Sequence, residues 1–135
     1  MPMEAVRAFF KKDQFAAHSG IRLVSVAAGE AVAEMSVEPY HCNGVGIAHG
    51  GAIFTLADFA FAAASNSHGT VAVAITASIS FLKAVESGAV LRAAAREVAC
   101  GGRVGTYSIE VTSRQGDRVA LFQGTVYRKN EPLPV

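Results

Sequence analysis

Apolar residues recur at helical spacing in the first stretch of the chain: Val6, Phe9 and Phe10 are followed by Lys11 and Lys12, cations that suit the negative end of a helix. The spacing predicts a short amphipathic helix over 3–13. Over 21–27 and 31–37 the pattern changes to strand. Ala31, Ala33, Met35 and Val37 face one way, Val32, Glu34 and Ser36 the other, and Ala28-Gly29-Glu30 breaks the two runs into a hairpin. Residues 38–51 contain Pro39, Asn43, Gly44, Gly46, Gly50 and Gly51, the composition of a loop with special backbone conformations or close approaches. From 51 to 67 the chain turns to Ala, Phe, Leu and Ile, enough for a largely buried helix of roughly four turns. Three or four strands follow, over 70–83, 89–99, 103–114 and 118–128, for a sheet of five to six strands. Their separators Ser87-Gly88, Gly101-Gly102 and Gln115-Gly116-Asp117 predict antiparallel hairpins throughout.

A sheet with one long helix that is apolar on nearly every side defines an α+β domain whose strands wrap the helix, and no linker or repeat divides 1–135. The chain has 51% hydrophobic and 17% charged residues, departures from globular averages that point to an unusually large core or, the favoured reading, to apolar surface hidden between subunits. Twelve basic against eleven acidic residues, with no basic run, exclude a nucleic-acid partner. The first residues lack a signal-peptide pattern. The most apolar run, 53–64, is interrupted by Asp58 and too short to span a bilayer, so the expectation is a soluble cytoplasmic protein without a membrane partner. Cys42 and Cys100 belong to no metal-binding spacing, and no metal is expected.

Chemistry concentrates between His41 and Asp58. The first amides of a helix lack intrahelical acceptors, so the Gly50 and Gly51 N–H groups are placed to receive an oxygen that becomes negative. Asp58 has Phe54, Thr55, Phe61 and Ala62 as its helical neighbours; a carboxylate there is desolvated and used, or else lies at the helix's solvent edge or bonds a nearby hydroxyl. His49 is a loop-carbonyl partner or a participant in the chemistry. Gly50 and Asp58 are eight residues apart on one helix, roughly 12 Å at about 1.5 Å per residue. One reacting carbonyl reaches both only if two copies of the helix run antiparallel across a two-fold axis. Neither a Gly-x-Ser-x-Gly elbow nor a phosphate-binding glycine loop is present.

In Asn43-Gly44, His49-Gly50-Gly51, 53–58, Ala64-Ser65-Asn66-Ser67 and 79–83 the chain resembles the hotdog-fold acyl-CoA thioesterases, specifically the PaaI-like group associated with phenylacetate degradation, over about 15–129. The resemblance implies a hotdog fold and a homodimer or a tetramer made of two dimers. It further implies hydrolysis of an aryl-acetyl- or medium-chain acyl-CoA, with coenzyme A entering only as part of substrate and product and no other cofactor. Asp58 of one subunit would activate water or attack the thioester itself. The Gly50 amide of the other, with His49 nearby, would polarise the carbonyl, and Asn43 would help hold the water. Relatives with a further polar side chain on the next strand align it near Ala74 or Ile75, leaving Thr76 as the nearest hydroxyl. Gly51 and Phe54 adjoin the substrate, Phe59, Phe61 and Phe81 are further candidate aromatic walls, and Lys83, Arg103 and Arg128 are candidate cations for the coenzyme A phosphates. A hydratase or dehydratase of the same fold and a non-catalytic acyl-CoA binding module are the alternatives.

Overall fold

A computed structural model describes residues 3–134; residues 1, 2 and 135 of the expected 1–135 domain lie outside the described residues. The expected N-terminal helix is two. Helix α1 spans Met3–Phe10 and α2 spans Gln14–His18, because the Asp13 carboxylate accepts the Ala16 N–H at 3.0 Å and starts a new helix there. The hairpin pairs β1 (Ile21–Ala27) with β2 (Glu30–Ser36), Ile21 opposite Met35 and Ala27 opposite Glu30. Gly29, at φ +75°, makes the turn.

After a 3-10 turn at Pro39–His41 and a loop comes α3, Gly50–Ser65, then β3 (Thr70–Phe81), β4 (Val90–Gly101), β5 (Val104–Ser113) and β6 (Arg118–Pro132). The six strands form one antiparallel sheet ordered β1-β2-β4-β5-β6-β3. The hairpins β4-β5 and β5-β6 match the turn signals. The one expected at Ser87-Gly88 does not exist: β3 pairs with β6, Ile79 opposite Phe122, while β4 pairs with β2, Ala33 opposite Ala93. A local turn signal reports only that the chain bends; which sheet edge is free to receive the next strand is a nonlocal matter.

Helix α3 lies chiefly over β2, β4 and β5. Beneath it are buried alanines, Ala31 and Ala33 on β2 and Ala93 and Ala95 on β4, and these short side chains let the helix approach the sheet closely. Ile53, Leu56, Ala57, Phe59, Ala60 and Phe61 fill the interior from the helix side. The Phe61 ring occupies the space over Gly124 of β6, where an added Cβ would lie 2.5 Å from Cζ of a ring that is itself buried. Gly124→Ala will therefore overpack the core and lower stability by about 1–3 kcal/mol, read from thermal or urea unfolding.

Among the uncovered surfaces of the described residues are a stripe on α3 and one edge of the sheet. Along α3, Gly51, Ala52, Phe54, Thr55, Asp58 and Ala62 form the stripe that is not buried. At the sheet edge, β3 runs 12 residues without a charge or a proline, and Val73 (40%) and Ile75 (56%) stand exposed on it. No helix among the described residues is long and apolar enough to cross a membrane.

Candidate active site

The loop before α3 is closed on itself. The His49 N–H donates to the His41 carbonyl at 2.7 Å, Cys42 bridges to Ala48, and the Asn43 N–H donates to the Ile47 carbonyl at 2.9 Å. Inside it the Asn43 side-chain oxygen accepts the amides of Val45 (3.0 Å) and Ile47 (3.4 Å), and Gly46, at φ +91°, lets the chain reverse. The oxygen of Asn43 thus builds the loop, and its NH₂ is the end left for a ligand. The Ala48 N–H donates to the Val85 carbonyl at 2.8 Å, fastening the loop to the segment after β3.

His49 caps α3. Its Nδ1 accepts the Gly51 N–H at 2.8 Å, and its carbonyl accepts the amides of Ala52 and Ile53. Two consequences follow. Nδ1 is an acceptor, so the proton is on Nε2, and the exposed ring offers an N–H donor beside the helix start. The Gly51 amide, expected to share in oxyanion binding, is already taken by that ring. Of the first four amides of α3, only the Gly50 N–H has no acceptor among the described residues. The Phe81 ring lies against Gly50, Cζ 3.0 Å from where a Cβ would be, so a side chain here would press on the ring that walls this amide.

Asp58 is on the same unbroken helix, two turns further on and partly buried. Burial first, and the charge of Asp13 second, raise its carboxyl above the usual aspartate value. Thr55, the nearby hydroxyl that could have satisfied it, donates instead to the Gly51 carbonyl at 2.7 Å. The two groups are roughly 12 Å apart by helix rise, as the spacing implies.

Beside the capped end of α3 opens a cleft of about 670 Å³. Phe15 of α2 (69% exposed) and Tyr40 (70% exposed) line it with His18, Cys42, His49 and Thr55. Neither aromatic was singled out from the sequence; each acquires meaning only when α2 and the 3-10 turn are folded against α3. Of the aromatic walls that were expected, Phe59 and Phe61 are core residues, Phe54 is half-buried and packs on Phe122 at 5.2 Å, and Phe81 is the one that is largely exposed.

The remaining expected residues scatter. A register shift between Ala74 and Thr76 turns Thr76 outward opposite Thr125, on the sheet face away from α3, so it does not meet its own subunit's Gly50 or Asp58. Lys83 is exposed and paired with Asp117 at 2.8 Å. Arg103 lies over the Tyr127 ring and donates to its hydroxyl at 3.2 Å. Arg128 corrects its assignment to phosphate binding: only 8% exposed, it donates to the Tyr107 hydroxyl at 2.6 Å and to Glu97 at 3.3 Å, and lies 3.1 Å from the Cys100 sulfur. Burial raises the Tyr107 phenol, as does its bond to Glu97. Burial alone would raise Glu97 too, but hydrogen bonds from Tyr107 and His68 hold it below its usual range. This is a satisfied internal ion network. Both cysteines are free, and no group of three potential metal ligands occurs among the described residues.

A sheet curled on one helix, that helix carrying an unclaimed amide at its start and a carboxylate within, is the hotdog arrangement. The family model of the thioesterase superfamily matches residues 45–120, and the chain belongs to that superfamily. A putative esterase of Archaeoglobus fulgidus is 44% identical over 93% of this chain and 81% of its own length. The acyl-coenzyme A thioesterase PaaI of Escherichia coli is 40% identical over 90% and 86%. The solved structure of the E. coli PaaI protein from the phenylacetic acid degradation operon superposes with a TM-score of 0.93 at 38% identity, covering 96% of this chain and 94% of that one. A Streptococcus mutans protein solved bound to acetyl CoA superposes with a TM-score of 0.79 at 30% identity, covering 83% and 90%.

Proposed function

We propose that this protein hydrolyses acyl-CoA thioesters at a site shared by two subunits. The observation that carries the reading is the unclaimed Gly50 amide at the start of α3, next in sequence to the exposed ring of His49: a free helix-terminal N–H suits a thioester oxygen that becomes negative. In this scheme Asp58 of the other subunit removes a proton from water as the water attacks the carbonyl carbon, with the Asn43 NH₂ holding that water. The oxyanion rests on Gly50 and His49. Its collapse breaks the C–S bond, and the thiolate takes the proton, leaving a free acid and the coenzyme A thiol.

The two uncovered surfaces support the pairing. A long, neutral edge strand is a template for another strand. A second β3 added antiparallel would extend the sheet across a two-fold axis and bring the α3 stripes together with their small residues in contact. Gly50 opposite Asp58 places that axis level with Phe54, midway between them. A tetramer made of two such dimers is part of the proposal, and two unpaired thiols fit a reducing, cytoplasmic location.

The acyl-CoA substrate is proposed from the relatives named for it. The cleft between Phe15 and Tyr40 suits an aryl-acetyl or medium-chain acyl group, because its rings offer apolar walls and its lining holds no lysine or arginine. Lys83 and Arg103, both near the surface, are the proposed partners of the phosphates. A hydratase would need His49 as a base toward carbon, and its only basic nitrogen already accepts the Gly51 amide.

Steady-state thiol release from aryl-acetyl-, benzoyl- and straight-chain acyl-CoA tests the proposal, and absence of turnover on every thioester would leave the binding module. The acid limb of kcat/KM will lie above the usual aspartate value, since ionised Asp58 is the working form and its pKa is raised. Asp13→Asn removes the second cause of that rise and will move the limb to lower pH; an unmoved limb would assign it to another group.

A further inference from the structure

His41 has no part in the chemistry above, yet it is among the few polar side chains that are buried, at 5% exposed. Both of its ring nitrogens are engaged with main chain. Nδ1 accepts the Glu38 N–H at 2.8 Å, which places the proton on Nε2, and Nε2 donates to the Ser19 carbonyl at 2.7 Å. Ser19 is the residue that ends α2, while Glu38 precedes the 3-10 turn. One ring therefore joins the N-terminal segment to the turn from which the catalytic loop departs. The main chain of the same residue holds the other end of that loop, since its carbonyl accepts the His49 N–H at 2.7 Å.

We propose that His41 is a positioning residue for the oxyanion side of the site: its imidazole fixes the loop's stem against Ser19 and Glu38, and its carbonyl passes that placement to His49 and the Gly50 amide. The inference rests on the thioesterase reading for its catalytic consequence, though not for the mechanical one. Without the ring, the Cys42–Ala48 loop would keep its own internal bonds and its bond to Val85 but lose its anchor to α2. The donors would then wander relative to a carboxylate supplied from the other subunit. Displacements of about 1 Å in such groups cost up to roughly 10²-fold in rate. They act on the transition state more than on ground-state binding, so the loss belongs in kcat.

The two contacts are separable, because an Asn oxygen overlays Nδ1 and a Gln amide reaches Nε2. The experiment compares the intact protein with His41→Ala, His41→Gln and His41→Asn by acyl-CoA turnover and by hydrogen–deuterium exchange of the peptide covering 42–52. The expected result for His41→Ala is kcat lower by about 10–100-fold, KM within about twofold, and faster exchange over 42–52. His41→Gln, which keeps the Ser19 contact, should recover most of both. Should His41→Ala fail to fold, a Gln variant protected over 42–52 beside an Asn variant that is not gives the same support. Exchange over 42–52 unchanged in His41→Ala, or Gln and Asn behaving alike, would overturn the proposal. An unmutated protein without turnover would count against the thioesterase reading, and the exchange comparison would still decide the role of His41.

Discussion

Asp58→Asn will lower kcat on acyl-CoA substrates by about 10²–10⁴-fold, the range associated with losing a general base, while leaving the mass of the assembly unchanged. The same substitution will not reduce thermal stability at neutral pH. A carboxyl whose folded-state pKa is raised contributes most to stability below its unfolded value, and that contribution is lost as pH rises through the folded value. At pH 7 the ionised Asp58 is therefore a burden on the fold, and the neutral amide relieves it. Activity falling while the unfolding midpoint holds or rises marks a group kept for function. Turnover within a few-fold of the parent would remove Asp58 from the chemistry.

Mixing two weak variants will restore activity if the site is shared. Asp58→Asn and His49→Ala subunits, unfolded together and refolded as random dimers, form mixed dimers in which one site carries both changes and the other neither. About a quarter of parental activity should return in the 1:2:1 mixture. A site contained in one chain would give only the average of the two weak activities. The edge-strand variant Ile75→Lys tests the contact itself: a charge on the exposed β3 edge disfavours self-pairing, and the protein should sediment as an inactive monomer. An active monomer would dismiss the shared site.

Much of this molecule is legible along the chain. The strand runs over 21–27 and 31–37 match β1 and β2, the alternation of the second matching the inward row of β2, and the apolar run from 51 to 67 locates α3 to within two residues at either end. These are matters of period, and period is written in consecutive residues. Asp58 stands out because a carboxylate among Phe and Ala is an anomaly visible in sequence. Its distance from Gly50 follows from helix rise alone.

Where the sequence falls short, the deciding contact spans a long separation or a small break in register. The pairings of β3 with β6 and of β2 with β4 join strands that are far apart along the chain. A bulge between Ala74 and Thr76 reverses the face of Thr76, which strict alternation would have kept with Ala74. Arg128 reads as a surface cation until Tyr107 and Glu97 are folded against it, and the Gly51 amide reads as free until the His49 ring bends back onto it. His41 has partners that make sense of it only when Ser19, 22 residues earlier, lies beside it. The sequence by itself determined most of the elements and the order of chemical groups along α3, because these rest on local geometry. Tertiary structure decided which amide stays open, which cations are spent internally and what anchors the loop, because each depends on which distant group reaches a hydrogen-bonding atom first.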